Sequence, residues 1–274
     1  MGDEMAEERR FHTMHGDIRY WVNRAPEDRP WLVFLPGLTA DHRLFDKQLP
    51  YFAETYSCLV WDAPAHAASR PFALAFSIED LARWLHEIFQ TEGITRPVLI
   101  GQSLGGYISQ VYLDCYTDGA AGFVSIDSCS LSRKYYARWE LESLKHTEGM
   151  YRSIPWNLLR VWGANGTAQS EYGRQMMRQM IDSYEKREYC ALAGHGFRIV
   201  AEAVEAKPEY RIPCPTLLLC GERDGAGFTK RYNREWTRQD GHPLIWVQHA
   251  GHNSNTDDPE FVNQKIEEFV CGLG

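Results

Sequence analysis

No stretch of the 274-residue sequence reaches the roughly 18 consecutive apolar residues that a membrane-crossing helix needs. Its first ten residues, MGDEMAEERR, lack the apolar core of a secretory signal. Basic residues are outnumbered, 29 Lys and Arg against 37 Asp and Glu, giving a net charge of −8. That balance argues against nucleic-acid binding, which requires a basic surface, and against docking on an anionic membrane. The seven cysteines (58, 115, 129, 190, 214, 220 and 271) are odd in number and form no CxxC pair. Free thiols in a reducing cytoplasm are the expectation. Internal repeats and low-complexity linkers are missing. Gly101–Gly106 is not a GxGxxG dinucleotide loop. His12 and His15 would face opposite sides of a strand, and no carboxylate or thiol cluster accompanies them. Neither a metal nor an organic cofactor is expected.

What is present alternates. Phe11–Met14 and Ile18–Val22 read as a hairpin, and Trp31–Leu35, Cys58–Trp61, Val98–Ile100, Phe123–Ile126, Thr216–Cys220 and Leu244–Val247 as further short strands. The unalternating apolar runs among them suit strands buried on both faces. Between them lie helical patterns. The clearest opens with Ser77 and Asp80 in a capping-box arrangement, carries Ile78, Leu81, Leu85, Ile88 and Phe89 on one face, and stops at Gly93. The fold class expected is α/β, with a mostly parallel central sheet of about eight strands flanked by helices.

One region breaks the alternation. Residues 129–213 contain no good strand but many helix formers and bulky apolar residues. They read as a helical cap inserted into an α/β core formed by residues 1–128 and 214–274. Trp139, Tyr151, Trp156 and Met177 are its candidate pocket residues.

In α/β chains, chemistry collects where strands end. Pro36-Gly37-Leu38-Thr39, Asp62-Ala63-Pro64, Gly101-Gln102-Ser103-Leu104-Gly105, Asp127, Gly221-Glu222-Arg223-Asp224 and His249-Ala250-Gly251-His252 all follow predicted strands. A serine, candidate acids and histidines therefore occur in the order Ser, Asp, His. Acyl transfer requires a nucleophile, a base for its proton and an acid that orients the base. Small residues around Ser103 suit a strained strand-to-helix turn, and a helix starting there aims N–H groups at a developing anion.

These residues resemble the α/β-hydrolase superfamily over nearly the whole chain. Gly101-Gln-Ser-Leu-Gly-Gly106 is similar to its nucleophile elbow, and Phe34-Leu-Pro-Gly-Leu38 to its oxyanion turn, with Pro36 in place of a histidine. Asp62-Ala-Pro-Ala-His-Ala-Ala-Ser69 resembles its D-x-P-G-H-G-x-S loop, with Ala65 and Ala67 in place of glycines. Cys220-Gly-Glu-Arg-Asp-Gly225 and Ala250-Gly-His-Asn-Ser-Asn255 resemble the acid and histidine loops. The resemblance implies Ser103 as nucleophile, His252 as base, Asp224 as acid, and the backbone N–H groups of Leu38 and Leu104 as an oxyanion hole. Asp127 is an alternative acid, one strand earlier. His249 and His66 are expected to be structural.

The activity so implied is serine-esterase hydrolysis of a small, mainly apolar molecule. Serine rather than aspartate at the nucleophile position disfavours haloalkane dehalogenase and epoxide hydrolase chemistry. The same residues could serve a C–C hydrolase, lyase, lactonase or aminopeptidase, and a ligand receptor with a vestigial triad is a non-enzymatic alternative. A small-molecule substrate is the expected partner, with no nucleic acid, no membrane insertion, and a monomer or homodimer.

Overall fold

The computed structural model describes residues 6–25 and 29–273. The expectation drawn from the first ten residues therefore falls largely outside the described residues. In chain order the main elements are β1 (Glu7–Thr13), β2 (Gly16–Asn23), β3 (Leu32–Leu35), α1 (Leu49–Ala53), β4 (Cys58–Asp62), α2 (Ile78–Glu92), β5 (Val98–Gln102), α3 (Leu104–Cys115) and β6 (Gly122–Ile126). Then follow α4 (Arg138–Lys145), α5 (Thr147–Ser153), α6 (Trp156–Thr167), α7 (Glu171–Asp182) and α8 (Lys186–Glu205). The chain closes with β7 (Thr216–Gly221), α9 (Thr229–Asp240), β8 (Leu244–Val247), α10 (Ser254–Asp257) and α11 (Pro259–Cys271).

The strands form one eight-stranded sheet in the order β1-β2-β4-β3-β5-β6-β7-β8. The β1–β2 hairpin is antiparallel, β2 runs antiparallel to β4, and every later pair is parallel. Crossover helices cover both faces, so the central strands are mainly apolar: β3, β4, β5 and β6 are buried at every position. Alternate residues feed two separate cores. Val33, Leu35, Leu59 and Trp61 pack with α2 and α3 on one face. Leu32, Phe34, Cys58 and Val60 pack with α11 and the α6–α7 pair on the other.

Local signals act as the sequence suggests. The Ser77 hydroxyl accepts from the Asp80 N–H at 3.1 Å, and the Asp80 carboxylate accepts from the Ser77 N–H at 2.9 Å. Gly93 ends α2 in the left-handed region, with φ 66°. Helices α4–α8 occupy the stretch between β6 and β7. Several polar contacts tie them to the rest of the chain, two of them through buried or half-buried carboxylates. The Asp257 carboxylate accepts from the Gln169 and Ser170 N–H groups as well as from Gly251 N–H. The Glu140 carboxylate accepts from the Tyr232 hydroxyl at 2.8 Å and pairs with Arg231 at 2.5 Å, joining α4 to α9.

Candidate active site

Parallel register brings the C-terminal ends of β3, β5, β6, β7 and β8 to one edge, and the chemistry-bearing residues gather there. Strand β5 ends at Gln102 and α3 begins at Leu104, so Ser103 alone makes the turn. Its backbone, at φ 48° and ψ −113°, lies where side chains are rarely tolerated. The neighbours are small because nothing larger fits. A Cβ on Gly101 would lie 2.5 Å from the Gly105 carbonyl oxygen, and one on Gly105 only 1.8 Å from the Leu35 carbonyl oxygen. The strained turn is held by hydrogen bonds. Ser103 N–H donates to Ile126 O at 2.9 Å, and Ser128 Oγ donates to Ser103 O at 2.7 Å.

The loop after β8 places His252 against this turn. Its Nε2 lies 2.9 Å from Ser103 Oγ, and its Nδ1 lies 2.9 Å from Asp224 Oδ2. Asp224 is buried in the turn after β7, where its other oxygen accepts from Ala226 N–H at 2.7 Å. An Nδ1–H directed at Asp224 leaves the Nε2 lone pair facing the serine hydroxyl. Burial by itself lowers the His252 pKa, but the charge of Asp224, its hydrogen bond and the nearby Asp127 outweigh burial and raise it.

Asp127 lies beside this pair but is occupied elsewhere. Its oxygens accept from Gly221 N–H at 2.7 Å and Ser254 N–H at 2.9 Å, tying the end of β7 to the histidine loop. Burial, and then the adjacent Asp224 charge, push its carboxyl well above the usual range. Among the described residues, two clusters have metal-ligand composition, Asp127–Cys220–Asp224 and Asp41–His42–Asp62. Their carboxylates accept from protein donors: Asp62 from the His42 and Ala68 N–H groups, and Asp41 from Arg43.

Leu38 and Leu104 both line the space in front of Ser103. Leu104 opens α3, so its N–H has no intrahelical acceptor. Ala65 and Ala67 adopt the left-handed region, with φ 69° and 34°, so this loop keeps a glycine-type backbone without glycine.

A model of the alpha/beta hydrolase family matches residues 32–265. The chain belongs to the alpha/beta hydrolase family. It is 28% identical over 256 residues to a 2-succinyl-6-hydroxy-2,4-cyclohexadiene-1-carboxylate synthase of Pectobacterium atrosepticum, covering 88% of this chain and 94% of that protein. It is 23% identical over 281 residues to human epoxide hydrolase 4, covering 94% and 71%. Its structure is similar to that of a thermophilic esterase from Thermogutta terrifontis, with TM-score 0.79, 19% identity, and 98% and 99% of the two chains covered.

In this alpha/beta hydrolase a cavity of about 480 Å³ opens in front of Ser103 and His252. Of the four anticipated pocket residues, Tyr151 and Met177 line it. Trp139 and Trp156 do not. Trp139 is 61% exposed and meets Phe228 edge-on, while Trp156 packs on Tyr189, whose own ring reaches the cavity. Composition put all four in one strand-free region, but the direction of each side chain depends on how its helix is rotated. The remaining histidines lie apart. His249 is exposed beside Arg223, His66 is buried with Nδ1 3.0 Å from Pro64 O, and His12 pairs with Asp17 at 2.6 Å.

Three residues near the site carried no signal in the sequence. Gln102 donates from Nε2 to His252 O at 2.8 Å, fixing the histidine loop to the elbow. Ser128 and Asp257 hold the elbow and the histidine loop as described above. Each acts through backbone groups distant in sequence, and no local pattern records that.

Proposed function

We propose that this alpha/beta hydrolase is a serine hydrolase that cleaves an ester or related acyl bond of a small, mainly apolar molecule. The observation that carries the reading is the continuous relay Ser103 Oγ–His252 Nε2 and His252 Nδ1–Asp224 Oδ2, each contact 2.9 Å, facing an apolar-walled cavity. His252 Nε2 takes the Ser103 proton as Oγ attacks the carbonyl carbon. The resulting oxyanion is stabilised by the Leu38 and Leu104 N–H groups, each such donor contributing about 3 kcal/mol in the transition state. His252 then gives its proton to the departing alkoxide, leaving the acyl group on Ser103. Water, deprotonated by His252, attacks the acyl-enzyme, and the carboxylic acid leaves as Oγ recovers its proton. Asp224 holds the histidine tautomer and offsets its transient charge.

The helices between β6 and β7 act as a cap in this reading, because α4–α8 supply much of the cavity wall. Serine at the elbow supports acyl transfer over the ring opening named for the human relative, since an aspartyl ester is not accessible to Ser103. The direct experiment is labelling by a fluorophosphonate, combined with turnover of short p-nitrophenyl esters. The expected result is one adduct, located at Ser103 by peptide mass, and measurable ester cleavage. An unlabelled wild-type protein would sink the proposal.

A further inference from the structure

The cavity wall holds no cation except the site histidine. Among the described residues that line it, Asp127 and Glu140 are the acidic side chains, His252 is the one basic side chain, and there is no lysine or arginine. Arg231 approaches Glu140 from behind, but its charge is spent on that carboxylate, at 2.5 Å. The rest of the wall is apolar or uncharged and polar: hydroxyls, the Cys129 thiol and the amides of Gln102 and Asn253.

The hydroxyls have a direction. Tyr136 lies 2.6 Å from the Ser130 carbonyl, which can only accept, so Tyr136 is the donor there. The 2.9 Å contact between Tyr107 and Tyr136 must then have Tyr107 as donor. Tyr232 likewise commits its hydrogen to Glu140, at 2.8 Å. Both Tyr107 and Tyr232 line the cavity. The hydrogen of each hydroxyl is thus committed to a protein acceptor, and the Tyr232 oxygen also meets the Arg231 side chain.

We infer that this cavity selects substrates that are uncharged on both sides of the scissile bond, and excludes those bearing a carboxylate. Its lining residues include no lysine or arginine to compensate a buried anion, and Tyr107, whose hydrogen is committed to Tyr136, has no donor to offer a carboxylate. A substrate hydroxyl or amide N–H, in contrast, can donate to the Tyr107 oxygen. This inference rests on the serine-hydrolase reading for the meaning of the scissile bond. It also separates the chain from the Pectobacterium synthase, whose named product is itself a carboxylate.

The test uses binding, so that it does not depend on turnover. Three ligands of one skeleton have no hydrolysable bond: hexanophenone, 6-hydroxy-1-phenylhexan-1-one and 6-oxo-6-phenylhexanoate. The fourth, the methyl ester of the last, has one and is compared with the other three on Ser103→Ala. The affinities of the three for the wild-type protein, and of all four for Ser103→Ala, are measured by calorimetry at pH 7.5. Hexanophenone and the hydroxyketone are expected to bind at least ~30-fold more tightly than the carboxylate, and the methyl ester to recover most of that loss. Tyr107→Phe is expected to weaken the hydroxyketone relative to hexanophenone by about 5- to 10-fold, the effect of one lost hydrogen bond. Carboxylate affinity within threefold of hexanophenone would overturn the inference. A methyl ester as weak as the acid would overturn it too, because length rather than charge would then set the preference. An unlabelled Ser103 with these affinities intact would remove the hydrolase reading and leave the selectivity standing.

Discussion

His252 Nε2 sits 2.9 Å from Ser103 Oγ although 149 positions separate the two in the chain. The contact exists because a parallel sheet brings the ends of β5 and β8 to the same edge. It is then fixed by Gln102, which holds the histidine loop through the His252 carbonyl. The reactive pair is thus built on rigid strand ends.

Replacing Ser103 with alanine removes the proposed nucleophile but leaves the cavity. Ester turnover is expected to fall by on the order of 10⁴-fold or more, and fluorophosphonate labelling to vanish. Calorimetric binding of hexanophenone should persist, which separates loss of chemistry from loss of fold.

The two buried aspartates should respond differently. Asp224→Asn disrupts the partner of His252 Nδ1, and kcat is expected to drop about 10³- to 10⁴-fold with little change in Tm. Asp127→Asn turns an amide NH₂ toward a backbone N–H that needs an acceptor. Its main effect should be a stability loss of about 1–3 kcal/mol, with a tenfold or smaller loss in kcat. Parallel kinetics and urea unfolding of both variants would check this, and a larger kcat loss at Asp127 would reverse the assignment of the acid.

The pH profile follows from the sign of the His252 shift. The proposed catalysis uses the neutral imidazole, and the carboxylate charges raise its pKa above the ordinary value of about 6.5. Hence kcat/KM should fall as pH drops through that raised value, so the acid limb lies above the normal histidine range. Asp224→Asn removes the larger of the two charge effects and should move the limb to lower pH. An unmoved limb would show that another group titrates.

The elbow tolerates little added volume. Gly105→Ala places a methyl group 1.8 Å from the Leu35 carbonyl oxygen, inside the backbone of the neighbouring strand. Neither partner can move without displacing β3 or α3. A destabilisation of about 3 kcal/mol or more is expected, read as a lowered urea midpoint or as insoluble protein.

Much of the fold is legible in the sequence because its signals are local. Unalternating runs such as Trp31–Leu35 and Val98–Ile100 mark strands buried on both faces, found as Leu32–Leu35 and Val98–Gln102. Ser77, Asp80 and Gly93 mark the two ends of one helix through hydrogen bonds that reach three to five residues. Gly101 and Gly105 mark the elbow because the space beside them is already filled by backbone. Even the order of the candidate groups could be read, since each follows its own strand.

What the sequence by itself determined was therefore the alternation of elements, the sheet type and the short set of reactive side chains at strand ends. Only the tertiary structure decided which acid meets the histidine. Asp127 and Asp224 follow adjacent strands, but the N–H groups of Gly221 and Ser254 engage the first, leaving the second against His252. It also decided which cap residues face the cavity: Tyr151 and Met177 inward, Trp139 out to solvent. The physical reason is common to both. Helix and strand propensities act over a few residues, whereas helix rotation and loop placement are set by packing between segments far apart in the chain.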